Sequence, residues 1–551
     1  MVNIPSILLP QTNRIMKRFT MTIVLAVLLG ATQFAKAQSP VITITGYISS
    51  NTTWTKDNIY LLSGFVYVNN GATLTIEPGT LIKGDKFTKG ALIVSRGAKL
   101  MADGTVTEPI VFTSNGPAGF RTYGDWGGII LLGKASINQP GGEAIIEGGV
   151  DDGLGNGTYG GGLTPDDNDN SGIVRYVRIE YPGIAFTSNN EINGLTCGGI
   201  GSGTILEHIQ VSYSGDDAFE FFGGTVNAKH LIAFRALDDD FDTDNGYRGK
   251  LQFLYSLRDP NVADISSSNG FESDNDATGS TNTPVTHPMF SNVTIAGPKV
   301  TTNAFNASYK RGAHLRRNTQ TSIYNSILMG YPSGLMIDGS ATEGNATSGI
   351  LQVRNTVLSG CTNNFEVASG STFDIGGWFN TASFGNTTYP ANADVMLTDA
   401  FNLSGPNPLP AAGSPVLTGA SFADLTDSFF EVVTYRGAFG TTDWTLGWAE
   451  WNPNNANYTF INEIKNLTGI SIYPNPMSSQ STLEFNLLEA GNVNIVITDL
   501  SGRFISQVMN SQMAAGNHSV EIFNKHLSAG MYFIQMRTGN DNLMVKLHIT
   551  D

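Results

Sequence analysis

The sequence predicts an all-β chain in which short strands stack as successive coils. Helical periodicity is nearly absent after the first 37 residues, and short β-branched runs alternate with turns of Gly, Asn, Asp and Ser. The runs also recur at a roughly constant spacing, as in 72–79, 91–97 and 109–113. Repeats of this length, built from strands that cannot bury their inner side alone, indicate a solenoid.

Later coils strengthen this prediction. The run 173–181 recurs as 205–213, and related Asn-led strands begin at Asn292, Asn325 and Asn355. Propeller repeats would be longer, about 40 residues or more, and a sandwich would not repeat its sequence. These residues resemble the right-handed parallel β-helix superfamily, with 74–80 and 124–129 typical of its extracellular members. The resemblance covers about 41–370 and implies a parallel β-helix over 38–370 with some twelve to fifteen coils.

The N-terminal residues have the pattern of a secretory signal peptide. Met16-Lys17-Arg18 precedes a short apolar run, and Ala35-Lys36-Ala37 forms a small-x-small cleavage pattern. We therefore interpret 1–37 as a signal peptide. No later stretch approaches the roughly 20 continuous apolar residues that a membrane-spanning helix needs, which predicts no transmembrane segment in the mature chain.

Composition limits the classes of partner. Charged residues make up 14% of the 551 residues, and 47 acids against 31 bases give a net charge of −16. Residues 1–37 contain four bases and no acid, so cleavage there deepens the charge to −20. An acidic chain without a basic stripe is not expected to bind nucleic acid. Cys197 and Cys361 are too few for a disulfide framework, which favours two buried free thiols over one long-range bridge.

The segment 371–465 differs from the coils and is predicted to be a C-terminal cap or extension of the β-helix. It contains Trp378, Trp444, Trp448 and Trp451, together with the Pro-rich turn 406–410. A solenoid needs a cover on its last coil, which large aromatic side chains can provide. The alternative is a platform on which pyranose rings stack.

The last part of the chain, 466–551, reads as a sandwich of about seven strands. Its motifs resemble the C-terminal sorting domain of the Bacteroidetes type IX secretion system. The residues that carry the resemblance are Tyr473, Pro474, Asn475, Pro476, Asp499, Gly502, Gly516, Gly530, Tyr532 and Lys546. The resemblance implies export through that machinery, with a secreted or outer-membrane-surface location.

Acidic residues are concentrated in the middle of the predicted coil. The segment 215–220 aligns with 237–242 at an offset of 22, and 269–276 repeats the Phe-acid step. Parallel stacking would align Glu220, Asp242 and Glu272 and place phenylalanines in an inward ladder. Like charges ~4.8 Å apart repel by about 3.5 kcal/mol at an effective dielectric of ~20. Raised pKa values or a cation would relieve this repulsion.

Hard oxygen ligands in turns favour Ca²⁺. The sequence thus predicts a Ca²⁺ site, with solvated acidic turns as the alternative. The segment 240–246 also resembles a calcium loop, although its glycine position and Leu251 exclude an EF-hand. The candidate metal ligands are Asp216, Asp217, Glu220, Asp238, Asp239, Asp242, Asp244, Glu272 and Asp274.

Basic residues follow the acids at Lys310, Arg311, His314, Arg316 and Arg317. In Ca²⁺-dependent polysaccharide lyases of the resembled superfamily, the cation acidifies a uronate C5 proton and a Lys or Arg removes it. Lys310, Arg311 and Arg316 are the candidate bases if the chain is a lyase, and the alternative is that they pair with the acids. No lyase signature motif matches these positions, and no Ser/His/Asp elbow, zinc spacing or phosphate loop is present.

Together these features favour a secreted or cell-surface protein, more a non-enzymatic, adhesin-like binder of glycan or matrix than an enzyme. The expected partners are the type IX machinery and extracellular polysaccharide. The alternative is a Ca²⁺-dependent lyase, or a hydrolase built on paired carboxylates, acting on acidic polysaccharide.

Overall fold

Parallel strands wind into a coil, as the repeats predict, and their pairings give the coil three faces. The computed structural model describes residues 39–187, 190–301, 304–456, 458, 467–487, 490–499, 503–524, 527–538 and 541–550. The predicted signal peptide, 1–37, lies outside these residues. Among the described residues, 26 strands join one sheet, and its first face carries twelve of them, in agreement with the lower end of the expected number of coils.

Seven long strands bend around a corner and contribute to two faces. They are Val41–Ile48, Ile59–Val68, Gly172–Glu180, Ile205–Ser212, Asn227–Phe234, Lys250–Leu257 and Met289–Ala296. Face 1 also contains Leu81–Gly84, Ile110–Ser114, Ile327–Met329, Val357–Ser359 and Thr387–Tyr389. Face 2 also contains Ala91–Val94, Gly128–Leu132, Leu195–Gly198, Phe219–Phe222, Phe241–Asp244, Phe271–Ser273, Arg311–Leu315, Ser333–Ile337 and Asn363–Val367. Face 3 also contains Thr52–Trp54, Thr73–Ile76, Lys99–Asp103, Ser322–Tyr324 and Val353–Arg354.

Short elements decorate the coil. Where the structure describes the chain, three hairpins project from the coil: Ala144–Ile145 with Thr158–Tyr159, Ala185–Thr187 with Asn190–Glu191, and Leu397–Asp399 with Asn407–Pro410. The α-helices are Ser340–Thr347 and Ile375–Phe379, and the 3₁₀ turns are Pro140–Gly142, Ala382–Phe384 and Asn392–Val395.

The core of the coil consists of columns of side chains from successive turns. Phe219 stacks on Phe241 at 5.6 Å between ring centroids, and Phe241 meets Phe271 at 5.7 Å. All three rings are buried, which confirms the predicted inward phenylalanine ladder. Aromatic pairs at this spacing add stabilisation beyond the area they bury.

A second column of stacked side chains lies at the corner between faces 3 and 1. The residue at this corner has a positive φ in each of four coils. Tyr176, His208, His230 and Phe253 have φ values of 47°, 52°, 56° and 62°. Their rings stack at centroid distances of 4.4, 4.2 and 5.2 Å. A non-glycine residue in this conformation is strained by about 1–3 kcal/mol, and stacking between coils offsets part of that cost.

The last coil is covered by a short helix and its neighbouring aromatic residues. Phe379 is buried against Phe365 at 5.1 Å between centroids, and the indole of Trp378 donates to the carbonyl of Ala346. Phe379 and Trp378 of the segment 371–465 thus cover the last coil.

The remainder of that region runs back along the outside of the coil, and we call residues 390–456 the return segment. Side-chain amides of the coil hold its backbone by paired hydrogen bonds. Asn325 bonds the amide and carbonyl of Ser421, and Gln252 likewise bonds Glu431. Gln210 likewise bonds Glu450. Each amide side chain thus satisfies one N–H and one C=O, as a neighbouring strand would.

The same segment ends beside much earlier coils. The carbonyl of Pro453 accepts from Arg121 at 3.2 Å, and the carbonyl of Asn454 accepts from the amide of Gly119 at 3.0 Å. The return segment therefore spans most of the stack.

Three of the four tryptophans lie on the side of the coil, so the prediction that they cover its open end is wrong for Trp444, Trp448 and Trp451. Trp451 packs with Phe234 and Tyr255, which project outward from face 1. Trp444 and Trp448 pack edge-on against His208. The cause is the outward apolar residues of face 1, which need a cover as much as the open end does. Packing against the coil occupies these indoles, which does not favour the sugar-stacking alternative.

The described residues of the C-terminal region form seven strands, as predicted. Leu467–Tyr473, Gln480–Leu487 and Gly516–Phe523 form one antiparallel sheet. Phe504–Met513, Gly491–Thr498, Gly530–Thr538 and Asp541–Ile549 form the second. Leu483, Ile495, Ile534 and Leu547 belong to the apolar core that both sheets share.

Two further sequence predictions concern thiols and membrane helices. Cys197 and Cys361 are both free, the first buried and the second half-buried. No helix within the described residues is both long and apolar enough to cross a bilayer.

Trp448→Ala should destabilise the protein by about 3–5 kcal/mol, since the indole is 1% exposed and its removal leaves a cavity between the return segment and the coil. Urea unfolding followed by circular dichroism measures this. Leu446→Ala is the matched control, because that side chain lies in the same segment and is 69% exposed. Equal effects of the two substitutions would contradict the packing role of the indole.

Candidate metal centre

Acidic side chains of three successive coils meet on the outer side of face 2. The strands that contain them pair in parallel, with Glu220 opposite Asp242 and Asp242 opposite Glu272. Thr196 precedes this column and His314 follows it. The predicted stacking of Glu220, Asp242 and Glu272 is therefore present in the structure.

A second column lies two residues further along each strand. Asp244 lies opposite Phe222, and the amide of Asp274 bonds the carbonyl of Thr243 in the coil before it. Asp274 is in turn held by two arginines of the next coil: Arg316 Nε at 2.8 Å and Arg317 Nη1 at 2.7 Å. This column thus ends in a neutralised carboxylate.

A third column forms in the turn that leads into face 2. The side-chain oxygen of Asn193 accepts the amide of Asp217 at 3.3 Å, and Asp217 accepts the amide of Asp239 at 2.7 Å. Asp239 then accepts the amide of Asn269. Each of these side chains accepts a hydrogen bond from the backbone amide of the next coil. The column therefore has an asparagine at each end, and Asp217 and Asp239 lie between them.

These columns converge into one array, which we call the acidic array. Its ligand oxygens form three groups, within each of which all atoms lie within 4.8 Å of one another. The groups are Asp216, Asp217 and Asp238; Asp217, Glu220 and Asp242; and Asp239, Asp242 and Glu272. Because Asp217 and Asp242 each belong to two groups, the array is continuous over seven carboxylates.

Burial changes the protonation of these acids. Burial, with the charge of Asp242, raises the pKa of Glu220 well above its usual value. Burial likewise raises the pKa of Asp217 to about 6, and burial with the charge of Asp217 raises that of Asp238 to about 8. Burial and the charge of Glu272 raise the pKa of Asp242 well above its usual range.

Two carboxylate oxygens of the array have no hydrogen-bond partner among the described residues, although they are shielded from solvent. They are Oδ1 of Asp238 and Oδ1 of Asp242. Buried acceptors of this kind are costly unless a donor or a cation meets them. The array therefore has unused ligand capacity.

The array ends at a cluster of basic side chains. Glu272 is buried, which favours its neutral form, but the hydrogen bond from His314 and the charge of Arg316 lower its pKa below the usual value. Arg316 contacts both Glu272 and Asp274. His314 Nε2 lies 3.1 Å from Asp338.

The other candidate bases are engaged as well. Arg311 forms two hydrogen bonds with Glu366, and Lys310 Nζ donates to the carbonyl of Ala307 at 2.8 Å. Burial lowers the pKa of Arg316, but the stronger combined effect of Asp274 and Glu272 raises it above the ordinary value. Arg311 and Arg316 thus pair with acids, as in the alternative, whereas Lys310 pairs with a backbone carbonyl.

Of the nine predicted ligands, seven belong to the acidic array, whereas Asp244 and Asp274 lie beside it. Burial and the charge of Asp274 raise the pKa of Asp244 to about 7. The calcium-loop resemblance of 240–246 is not reflected in the structure, because Asp240 points into the coil. There it forms an ion pair with Arg258 at 3.0 Å, with both side chains fully buried.

Asn193 and Asn269 were missed by sequence reasoning. They begin and end the ladder of Asp217 and Asp239, at separations of 24 and 30 residues. The offset of 22 that aligned the two aspartates does not extend to these coils, because the connecting loops differ in length. The Asn-Gly pair that precedes each strand is the signal that could have found them.

Residues 46–396 match the family model of the pectate-lyase-like β-helix domain, which covers more than half of the chain. The chain belongs to this family. Among solved structures, this β-helix protein matches an endo-β-1,4-mannanase from Thermotoga petrophila at 8% identity and a TM-score of 0.12. The match covers 40% of this chain and about half (48%) of the mannanase chain. No curated protein matches.

Residues 471–550 match the model of the secretion system C-terminal sorting domain. The β-helix protein is therefore secreted, to the cell surface or the extracellular space, and its sorting domain interacts with the type IX machinery.

The predicted sorting residues have defined places in the sandwich. Asn475, between Pro474 and Pro476, bonds the backbone on both sides of Leu547: its amide donates to the carbonyl of Lys546 and its oxygen accepts from His548.

The remaining sorting residues lie in turns or on strands. Asp499 bonds Arg503 across a turn, while Gly502 falls outside the described residues. Tyr473 bonds Glu484, and Tyr532 bonds the carbonyl of Ser528. Gly516 and Gly530 begin strands at φ values of 122° and 153°.

Without divalent cations, the protein should become less stable as pH rises from about 5 to 8.5. Six of the seven acids of the array have raised pKa values and only that of Glu272 is lowered, so the array binds more protons in the folded than in the unfolded state. The stabilisation is present below about pH 4 and is lost as pH rises through folded pKa values of about 6 to 8. Melting temperatures in chelator across this range measure the effect.

Asp242→Asn should raise the melting temperature in chelator at pH 8, since it removes a charge shared by two groups of the array. The exposed acid Asp57, changed to Asn, is the control. For the pH dependence itself, a melting temperature of the wild-type protein that rises with pH in chelator would contradict the conclusion that the acids of the array are protonated in the folded state.

Proposed function

We propose that this secreted β-helix protein is non-enzymatic, that Ca²⁺ stiffens its central coils at the acidic array, and that it binds extracellular polysaccharide. The observation that carries the cation part of the proposal is the set of three carboxylate groups in which every oxygen lies within 4.8 Å of its partners. Two oxygens bound to one Ca²⁺ at 2.3–2.6 Å can be at most about 5 Å apart, so each group has the spacing of a Ca²⁺ ligand set.

The chemistry of the donors also supports Ca²⁺. Every donor in the three groups is a carboxylate oxygen, without the nitrogen or sulfur ligands that transition metals prefer. Asp238 and Asp242 each present an oxygen with no hydrogen-bond partner among the described residues. A bound cation would convert repulsion between neighbouring coils into attraction and so link three turns of the stack.

The engagement of the basic residues supports a non-enzymatic role. A lyase base must be neutral before it accepts the C5 proton. Arg316, the nearest candidate, is held in its charged form by Glu272 and Asp274. Arg311 and Lys310 have partners of their own.

One observation favours the alternative, a Ca²⁺-dependent polysaccharide lyase. Arg316 lies directly beside Glu272, so a cation in the last carboxylate group and a basic side chain would share one face of the coil. Such proximity is what β-elimination from a uronate requires.

Ca²⁺ should raise the melting temperature, and chelator should reverse the change. Free Ca²⁺ at 100 times its dissociation constant would add about 2.7 kcal/mol to the free energy of unfolding. Asp242→Asn should reduce this response, while Asp57→Asn should not. An unchanged midpoint in wild-type protein would overturn the Ca²⁺ part of the proposal.

Incubation with a panel of uronic-acid polysaccharides tests whether the protein is non-enzymatic. With Ca²⁺ present, we expect no increase in the absorbance of unsaturated products. A chelator-sensitive increase that Arg316→Ala abolishes would establish the lyase alternative instead.

A further inference from the structure

A polar cavity of about 440 Å³ lies on the first coils, away from the acidic array along the sequence. Asn70, Arg96 and Lys134 line it, and each follows a face 2 strand in one of three successive coils. Its other side comes from residues 143–164 of the loop that follows Lys134, which contribute Glu143 and Thr164. The parallel register of the coil thus aligns the three residues of one wall, and a single long loop forms the opposite wall.

Hydrogen bonds hold the two walls together. Arg96 Nη1 donates to Glu143 Oε1 at 2.5 Å and to the carbonyl of Gly160 at 2.6 Å. Asn156, which also lines the cavity, donates to Asp152 at 2.6 Å. The cavity is therefore formed by fixed groups before any ligand enters, which lowers the entropic cost of binding.

The cavity is positively charged in a chain that is otherwise acidic. Arg96 and Lys134 supply two positive charges, against one carboxylate from Glu143. Arg96 is paired with Glu143, whereas the Lys134 ammonium makes no hydrogen bond or ion pair within the described part of the chain, although its charge also acts on Asp169. Its three donors can therefore turn to a ligand. Among the lining side chains, the excess of one positive charge matches a ligand with one negative charge.

The neutral lining indicates what else the ligand carries. Asn70, Asn156 and Thr164 offer amide and hydroxyl groups, which suit sugar hydroxyls. A bare phosphate or sulfate would leave most of the cavity empty. Asn70, Lys134 and Thr164 are exposed, so the cavity opens to solvent and can receive one unit of a longer chain.

We propose that this cavity binds one carboxylated sugar unit of an extracellular polysaccharide, with Lys134 contacting the carboxylate and Asn70, Asn156 and Thr164 contacting hydroxyls. This inference rests on the polysaccharide-binding part of the proposed function and gives it a site and a ligand class. Binding here needs no Ca²⁺, whereas any uronate bridged to the acidic array does.

Isothermal titration of the full chain with a galacturonate disaccharide, in the presence of chelator, tests the proposal. Wild-type protein should bind the disaccharide, and Lys134→Met should weaken binding about 10-fold or more, as expected for the loss of a hydrogen bond to a charged group. Lys99→Met is the matched control, since Lys99 belongs to the same coils but does not line the cavity. Its affinity should equal that of wild type.

Two further probes identify the ligand chemistry. The methyl-esterified disaccharide should bind at least 10-fold more weakly than the acid, and inorganic phosphate should not compete at equal concentration. Equal binding of ester and acid, or full competition by phosphate, would overturn the assignment to a carboxylated sugar. Unchanged affinity in Lys134→Met would overturn the site.

The proposed function can fail separately from this inference. Polysaccharide binding that appears only with Ca²⁺ would retain the proposed function and overturn the cavity assignment. Turnover of uronates together with Lys134-dependent binding in chelator would overturn the non-enzymatic role and retain the cavity.

Discussion

Parallel stacking in register is the constraint on which the rest of the structure depends. Each coil places the same strand position directly above its equivalent in the coil before, about 4.8 Å away. Residues of the same type at equivalent positions of successive coils therefore form a column. Phe219, Phe241 and Phe271 gain packing from this, and the stacked His208 and His230 compensate a strained corner.

The same constraint works against charged residues. Glu220, Asp242 and Glu272 lie next to the phenylalanines that stack in the core, so stacking of the rings also aligns the carboxylates. The same register therefore produces both the hydrophobic packing and the electrostatic repulsion. The fold relieves the repulsion differently along the array. Arg316 and His314 neutralise its last member, whereas burial drives the middle members toward their protonated forms. A cation is the remaining way to keep them ionised.

Amide side chains on several coils also bind the backbone of the return segment. Gln210, Gln252 and Asn325 each present an amide that pairs with backbone of the return segment. The return segment in turn covers the outward apolar residues of face 1, including Tyr255. The side of the stack is thus closed by the part of the chain made after the coils, and its docking depends on their correct register.

The sequence by itself determined the class of fold, the sorting domain and the core of the acidic array. Repeated strand patterns specify which residues point inward, and the 22-residue offset between Glu220 and Asp242 specifies one register step. Only the tertiary structure decided which partner each remaining group meets. Loops of unequal length separate Asp239 from Asn269 and Lys134 from Arg96, so no periodicity links them. Trp448 is the clearest case: an aromatic side chain has the same burial requirement at the end of a solenoid as on its side, and only packing distinguishes the two.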